Sequence, residues 1–185
     1  MNIGRGWFLP APVFSFSLVQ AFFWLTQEEN WWYDTFIMHP GQDLKQLVRE
    51  VLEDGYLMSL GTVDEQGVWV SDVIYVFDDE LSIYWLSRVD ARHSEAIEKN
   101  PQVAGSITTS KKEDDEAGIQ FEGVAEKIDG DLLELARAHR QKRGDALPER
   151  EGEILEERGQ SWYRLTPTRI ELIYESLFGK ERQRV

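Results

Sequence analysis

Tyr56–Leu86 reads YLMSLGTVDEQGVWVSDVIYVFDDELSIYWL, with apolar residues at every second position between short polar turns. Such alternation marks half-buried strands, because successive side chains leave a strand on opposite faces. Tyr56–Val63 is predicted as a first strand, Val68–Val76 as a second and Leu81–Leu86 as a third. Asp64–Gly67 (DEQG) and Phe77–Glu80 (FDDE) are the turns between them. Connections this short can join only antiparallel neighbours, since a parallel crossover needs a dozen residues or more. The stretch is therefore an antiparallel meander.

On its N-terminal side, Gln42–Asp54 carries apolar residues at 44, 47, 48, 51 and 52, one face of a helix, and Gly55 stops it. On its C-terminal side comes SRVDARHSEAIEKNP, Ser87–Pro101: a loop with Arg88, Arg92 and His93, then a helix over roughly 91–99 that ends before Pro101. Val103–Thr109 is a fourth strand, and the charged loop Lys111–Glu116 leads into Gly118–Ile128, a fifth, paired with the fourth. Asp131–Arg143 reads as a helix broken by Gly144–Pro148, and Arg150–Arg158 as another. Trp162–Leu165 and Arg169–Tyr174 are two late strands. About six antiparallel strands interrupted by helices predict a mainly β, α+β fold, a small closed or split β-barrel.

Residues 1–37 differ from the rest. They hold 11 of the 22 aromatic residues and four of the seven Trp, with only Arg5, Glu28, Glu29 and Asp34 charged. The apolar run Pro10–Leu25 is too short and too interrupted for a transmembrane helix, and no small-x-small cleavage site follows it. Three readings stand: a start of translation at Met38 with the upstream residues outside the natural protein, a genuine aromatic extension, or a secretory signal. The expected folded domain is 38–185.

Twenty Lys and Arg against 34 Asp and Glu give a net charge of −14. Nucleic acid and anionic membranes repel such a chain unless a basic patch is segregated. The basic end of the helix near 131–143 (Arg137, Arg140, Lys142, Arg143) is what a helix dipole favours by itself. Neither nucleic acid nor a membrane span is expected. With no cysteine, disulfides, thiolate metal sites and a Cys nucleophile are excluded. A cytoplasmic, reducing setting is the matching expectation.

The loop at Ser87–His93 is the part suited to chemistry. One hydroxyl, two guanidiniums, an imidazole and the free N–H groups of a helix start would together hold a phosphate. The plainer alternative is a solvated loop before an ordinarily capped helix, with Asp90 as the N-cap. Gln120, in GIQFEG, lies on the opposite face from Ile119 and Phe121, where its carboxamide would meet a heterocycle edge or water. Tyr84 and Trp85 point to opposite faces of the third strand. His39 and His139 are isolated, so no metal site is expected. Ser59 and Ser71 lack a nucleophile-elbow pattern. No catalytic acid, base or nucleophile can be named.

Taken together, YWLSRVDARHSEAIEKNP (84–101), VAGSI (103–107), GIQFEGVAEKI (118–128) and WYRLTPTRIELI (162–173) resemble the pyridoxamine 5′-phosphate oxidase-like FMN-binding split barrels over about residues 42–178. The nearest likeness is to a small bacterial branch with an Arg-His pair and a Gly-x-Gln-Phe-x-Gly strand. The resemblance implies a six-stranded antiparallel split β-barrel and a homodimer with FMN at the subunit interface. It implies that Arg92 and His93, with Ser87, hold the flavin phosphate. The ring would lie along Met58–Thr62 (Ser59, Gly61 and Thr62) and Val73–Tyr75, near Gln120. Arg88 is added from its charge alone.

Two departures narrow the expectation. The family's Ser-Arg-Lys-like triplet is Ala91-Arg92-His93 here, one hydroxyl fewer and an imidazole for an ammonium. The chain ends ESLFGKERQRV, without the His of the vitamin-gripping motif, so vitamin B6 oxidation is not expected. The implied function is an FMN-binding flavoprotein, an oxidoreductase acting on an unknown small-molecule substrate. The alternatives are the same fold with deazaflavin or haem, and a non-catalytic dimeric flavin-binding or stress-response module.

Overall fold

Asp43 caps the first helix, α1 (Leu44–Asp54), by accepting from the Lys45 N–H, and the helix turns Leu47, Val48, Val51 and Leu52 inward. Each such buried aliphatic contributes on the order of 1.5–3 kcal/mol, so the periodicity seen in the sequence anchors α1 to the core. The computed structural model describes residues 43–109, 116–130, 132–150, 153 and 159–185. The expectations for residues 1–37, and most of those for Lys111–Glu116 and Arg150–Arg158, lie outside the described residues.

The strands are β1 (Leu57–Asp64), β2 (Gly67–Phe77), β3 (Ile83–Arg88), β4 (Gln102–Thr108), β5 (Ala117–Ile128), β6 (Gln160–Tyr174) and a short β7 (Gln183–Arg184). Between them stand α2 (Arg92–Lys99), α3 (Leu133–Arg143) and the single turn α4 (Glu175–Phe178). The sheet order is β3-β2-β1-β4-β5-β6-β7, and β3 also pairs with β6. That added pairing closes six antiparallel strands into a barrel, as expected, and β7 extends β6 outside it. Closure removes the exposed edges that an open sheet would present.

Inward residues of the six barrel strands form one core: Met58 and Leu60, Tyr75, Ile83 and Trp85, Ile107, Ile119 and Phe121, Tyr163 and Leu165. A smaller cluster places Trp162 against Ala136 of α3. Two side chains finish the C-terminal end of α1. The Tyr75 hydroxyl is 2.9 Å from the Leu52 carbonyl and 3.1 Å from that of Gly55. Lys142 donates to the Leu52 carbonyl at 3.3 Å from above the Tyr75 ring. Burial brings that ammonium down to about 8.

The late strands differ from expectation. Instead of two, β6 runs unbroken for 15 residues through Pro167. Proline lacks the N–H a ladder uses, and sheets accept it at bulges. Here the β5–β6 register shifts between Glu122 and Gly123, the residue opposite Pro167. A Cβ on Gly123 would stand 2.4 Å from the Thr166 carbonyl oxygen. Gly123→Ala is therefore expected to destabilise the fold by about 1–3 kcal/mol, as overpacking does. Urea unfolding reads this, and an unchanged midpoint would show that the bulge relaxes freely.

Candidate functional site

The loop after β3 behaves as its sequence suggests in one respect and not in another. On β3, Ser87 points inward and Arg88 outward, and His93 at the start of α2 reaches back to Ser87, with Nε2 2.8 Å from Oγ. Burial lowers the His93 pKa, so at neutral pH the pair offers hydrogen bonds rather than charge. The start of α2 is open. Ala91 is its N-cap residue and supplies no side-chain hydrogen bond, so the first N–H groups keep their positive end of the helix dipole. Asp90, expected as the cap, turns away to bind Arg88. Both oxygens of its carboxylate are taken by the guanidinium two residues back.

The cations are less free than they read. Arg88 pairs with Asp90 on the exposed side and does not reach the Ser87–His93 pair. Arg92 crosses to the β1–β2 hairpin, where Nε and Nη2 donate to Asp64 at 2.7 and 3.0 Å. Its guanidinium also lies over the Trp69 ring, 4.5 Å from the centroid. The same hydrogen bonds hold the Asp64 carboxyl at about 2, so it stays ionised at any working pH. Formal charge in the loop is therefore largely compensated, and what it presents is a set of oriented donors.

The second group of expected residues lies on the outer face of the sheet. Directly opposed residues of antiparallel strands share a face. Ser59 of β1 faces Asp72 of β2 on one side and Ser106 of β4 on the other, and Ser106 faces Gln120 of β5, which faces Glu171 of β6. The neighbouring row is Val70, Gly61, Ala104, Glu122 and Arg169. Ser59 donates to Asp72 at 2.7 Å. Between the two rows runs a groove of about 430 Å³, lined by Ala104, Ser106, Gln120, Glu122, Arg169 and Glu171. Ala104, Gly105 and Ser106 line it with little side-chain bulk, and Ser59 and Gly61, their small partners on β1, lie next to it. Arg169 bonds Glu171, and Arg182 reaches the same carboxylate.

Ser59, Gly61 and Gln120 thus share a face. Thr62 does not: it is buried inside the barrel, 1% exposed, with its hydroxyl unpartnered. The alternation of β1 turns it away from Gly61. The outer face also carries an exposed apolar patch at the β1–β2 hairpin, with Val68 75% and Val70 59% exposed and Val63 opposite Val68.

Reading the sequence missed Asp64 and Trp69. DEQG was legible only as a turn, and nothing local indicates that Asp64 meets a residue 28 positions later. No cluster of three or more His, Asp or Glu side chains suited to a metal ion occurs among the described residues. No helix among them is long and apolar enough to cross a membrane.

Residues 44–174 match the family model of pyridoxamine 5′-phosphate oxidase. In sequence the chain is 32% identical over 95 residues to UPF0306 protein plu4501 of Photorhabdus laumondii, covering 50% of this chain and 66% of that protein. The chain thus spans just under two thirds of the length of that relative. The fold is similar to HutZ, the haem storage protein of Vibrio cholerae, at 23% identity and TM-score 0.54, covering 72% and 95% of the two chains. It is similar also to General Stress Protein 26 of Bacillus anthracis, at 19% identity and TM-score 0.57, covering 78% and 100%.

Proposed function

The chain belongs to the pyridoxamine 5′-phosphate oxidase family, and from that premise we propose that it is a dimeric FMN-binding flavoprotein acting as an oxidoreductase on a small molecule. The observation that carries the reading is the uncapped start of α2 beside the Ser87–His93 pair. A helix start with unsatisfied N–H groups is suited to a phosphate. The remaining N–H groups of Arg92 and the Ser87 and His93 side chains would complete its donors. The small side chains of the Gly61–Ala104 and Ser59–Ser106 pairs leave room for a planar ring along this face, with the Gln120 carboxamide at its edge. Bound flavin supplies hydride or electron transfer, while the chain's residues bind and orient it and keep water out.

Asp64, which holds Arg92, lies five residues along β1 from Ser59, a span of about 17 Å. A second copy seated on the apolar outer face would cover Val68 and Val70 and enclose the groove. That is the support for a homodimer.

Haem is the second reading, raised by the likeness to HutZ. The described imidazoles do not favour it. His93 is engaged with Ser87, and His139 is buried against Trp162.

Purified full-length protein tests the readings by its spectrum. A flavin absorption band, with fluorescence released on denaturation, is expected. A Soret band would favour haem, and a colourless protein that ignores added FMN would favour a non-catalytic module. Arg92→Ala combined with His93→Ala is expected to weaken FMN binding by roughly ten- to a hundredfold, from losing two donors to a charged group. Riboflavin, which lacks the phosphate, is expected to bind as before. Equal losses for both ligands would remove these residues from the phosphate.

A further inference from the structure

We infer that Asp64 and Trp69 are positioning residues that hold the Arg92 guanidinium in one orientation for an anionic ligand, an inference that rests on the FMN reading above. Arg92 is the first residue of α2, at the mouth of the loop. Left free, a side chain this long samples many rotamers, and ordering it on binding costs affinity. Here two strands of another element order it beforehand. Asp64, at the end of β1, takes Nε–H and one Nη2–H. Trp69, on β2, covers one face of the guanidinium plane. With one edge and one face occupied, the other edge of the fork remains, and a guanidinium has five N–H donors in all.

The two holding groups are themselves fixed. The Asp64 carboxylate also accepts from the Gln66 N–H at 2.8 Å, closing the hairpin turn. The Trp69 indole donates to Ser71 at 3.1 Å. The pair is well shielded, with side chains 30% and 17% exposed for Arg92 and Asp64. Arg88 makes the contrast. Its pair with Asp90 has both side chains more than half exposed, at 64% and 58%, and is shorter in sequence reach. Of the two arginines in the loop, only Arg92 is held by the fold. Asp64 also offsets its charge, so the contribution of Arg92 lies in geometry more than in net attraction.

The test uses the full-length chain with FMN and riboflavin titrated separately, followed by flavin fluorescence at neutral pH. Asp64→Asn and Trp69→Leu are each expected to weaken FMN binding roughly three- to tenfold, the cost of ordering one long side chain. Riboflavin affinity is expected to stay unchanged, and Asp64→Glu to restore most of the FMN preference. Arg92→Lys keeps the charge but loses the fork and the stacking, and is expected to behave like Asp64→Asn. It also serves as the probe should a hairpin variant fail to fold by circular dichroism. Equal weakening of FMN and riboflavin would reduce Asp64 and Trp69 to general supports of the fold and overturn the inference. Tighter FMN binding by Asp64→Asn would also overturn it, making Asp64 a competitor for the guanidinium. A wild-type chain that binds neither ligand, or both equally, instead brings down the FMN phosphate reading itself.

Discussion

Trp85→Ala is expected to lower the unfolding free energy by about 3–5 kcal/mol, the range for removing a large aromatic from a packed core. Trp85 is 0% exposed and sits where the barrel closes. On β3 it faces Tyr75 of β2 on one side and Tyr163 of β6 on the other. It stacks on Tyr163 with centroids 5.6 Å apart and planes 17° apart, an arrangement that adds to the burial itself. The indole N–H has no partner, so its removal strands no acceptor, and the loss is one of packing. Domains of this size are stable by about 5–15 kcal/mol, so the variant forfeits a large share. Chemical unfolding measures it, and Trp85→Phe, which keeps a ring against Tyr163, is expected to lose clearly less. A loss below about 1 kcal/mol for the alanine variant would mean that neighbouring side chains refill the site.

Acid sensitivity between neutral pH and about pH 4 is the second large effect. His139 is 4% exposed and meets Trp162 edge-on, 5.5 Å between centroids. Burial, helped by the nearby Arg143 and Arg140, brings its pKa down to about 4. An unfolded histidine titrates near 6.5. Between those values the unfolded chain takes up a proton that the folded chain refuses, so stability falls as pH falls through this window. At 1.36 kcal/mol per unit, the full loss is about 3 kcal/mol. His139→Gln is expected to be the less stable protein at pH 7.5 but to lose far less on going to pH 4.5. Melting temperatures across that range decide it, and parallel curves would clear His139 of the effect. Carboxylates lowered by arginines (Asp64, at about 2, and Asp90, Asp145 and Glu171) add their own losses toward the acid end. His93, lowered by burial, adds to the same window, so the contribution of His139 is read as the difference between wild type and His139→Gln.

Much of the fold was legible in local pattern. The strands at Leu57–Asp64 and Gly67–Phe77 begin and end within about a residue of where alternation and the DEQG turn place them. The helix stop before Pro101 holds equally well. Pro167 misled, because proline ordinarily interrupts a strand, and the bulge beside it, where the β6 step from Arg169 to Pro167 spans two residues against one from Glu122 to Gly123, shows only once β6 is paired with β5. The short β7 carried too few residues to show a period.

Less of the candidate site was legible. Ser87 and His93, six residues apart across a loop and a helix start, do meet. The same stretch also suggested that Arg88 and Arg92 are available cations and that Asp90 caps α2. All three depend on which opposite charge lies nearest in space, and that is a tertiary fact.

The sequence by itself determined the period of the longer helices and of strands β1 to β5, the antiparallel sense of the meander and the family. These follow from side-chain alternation, turn chemistry and a local string of residues. Only the tertiary structure decided that β3 closes on β6, that Gln120 shares a face with Ser59 and Gly61, and that Asp64 holds Arg92. Pairings between strands far apart in the chain set strand order, register and ionic partners. Hydrogen-bond ladders and carboxylate–guanidinium pairs form alike between many candidate partners, so no local signal singles one out until the core has packed.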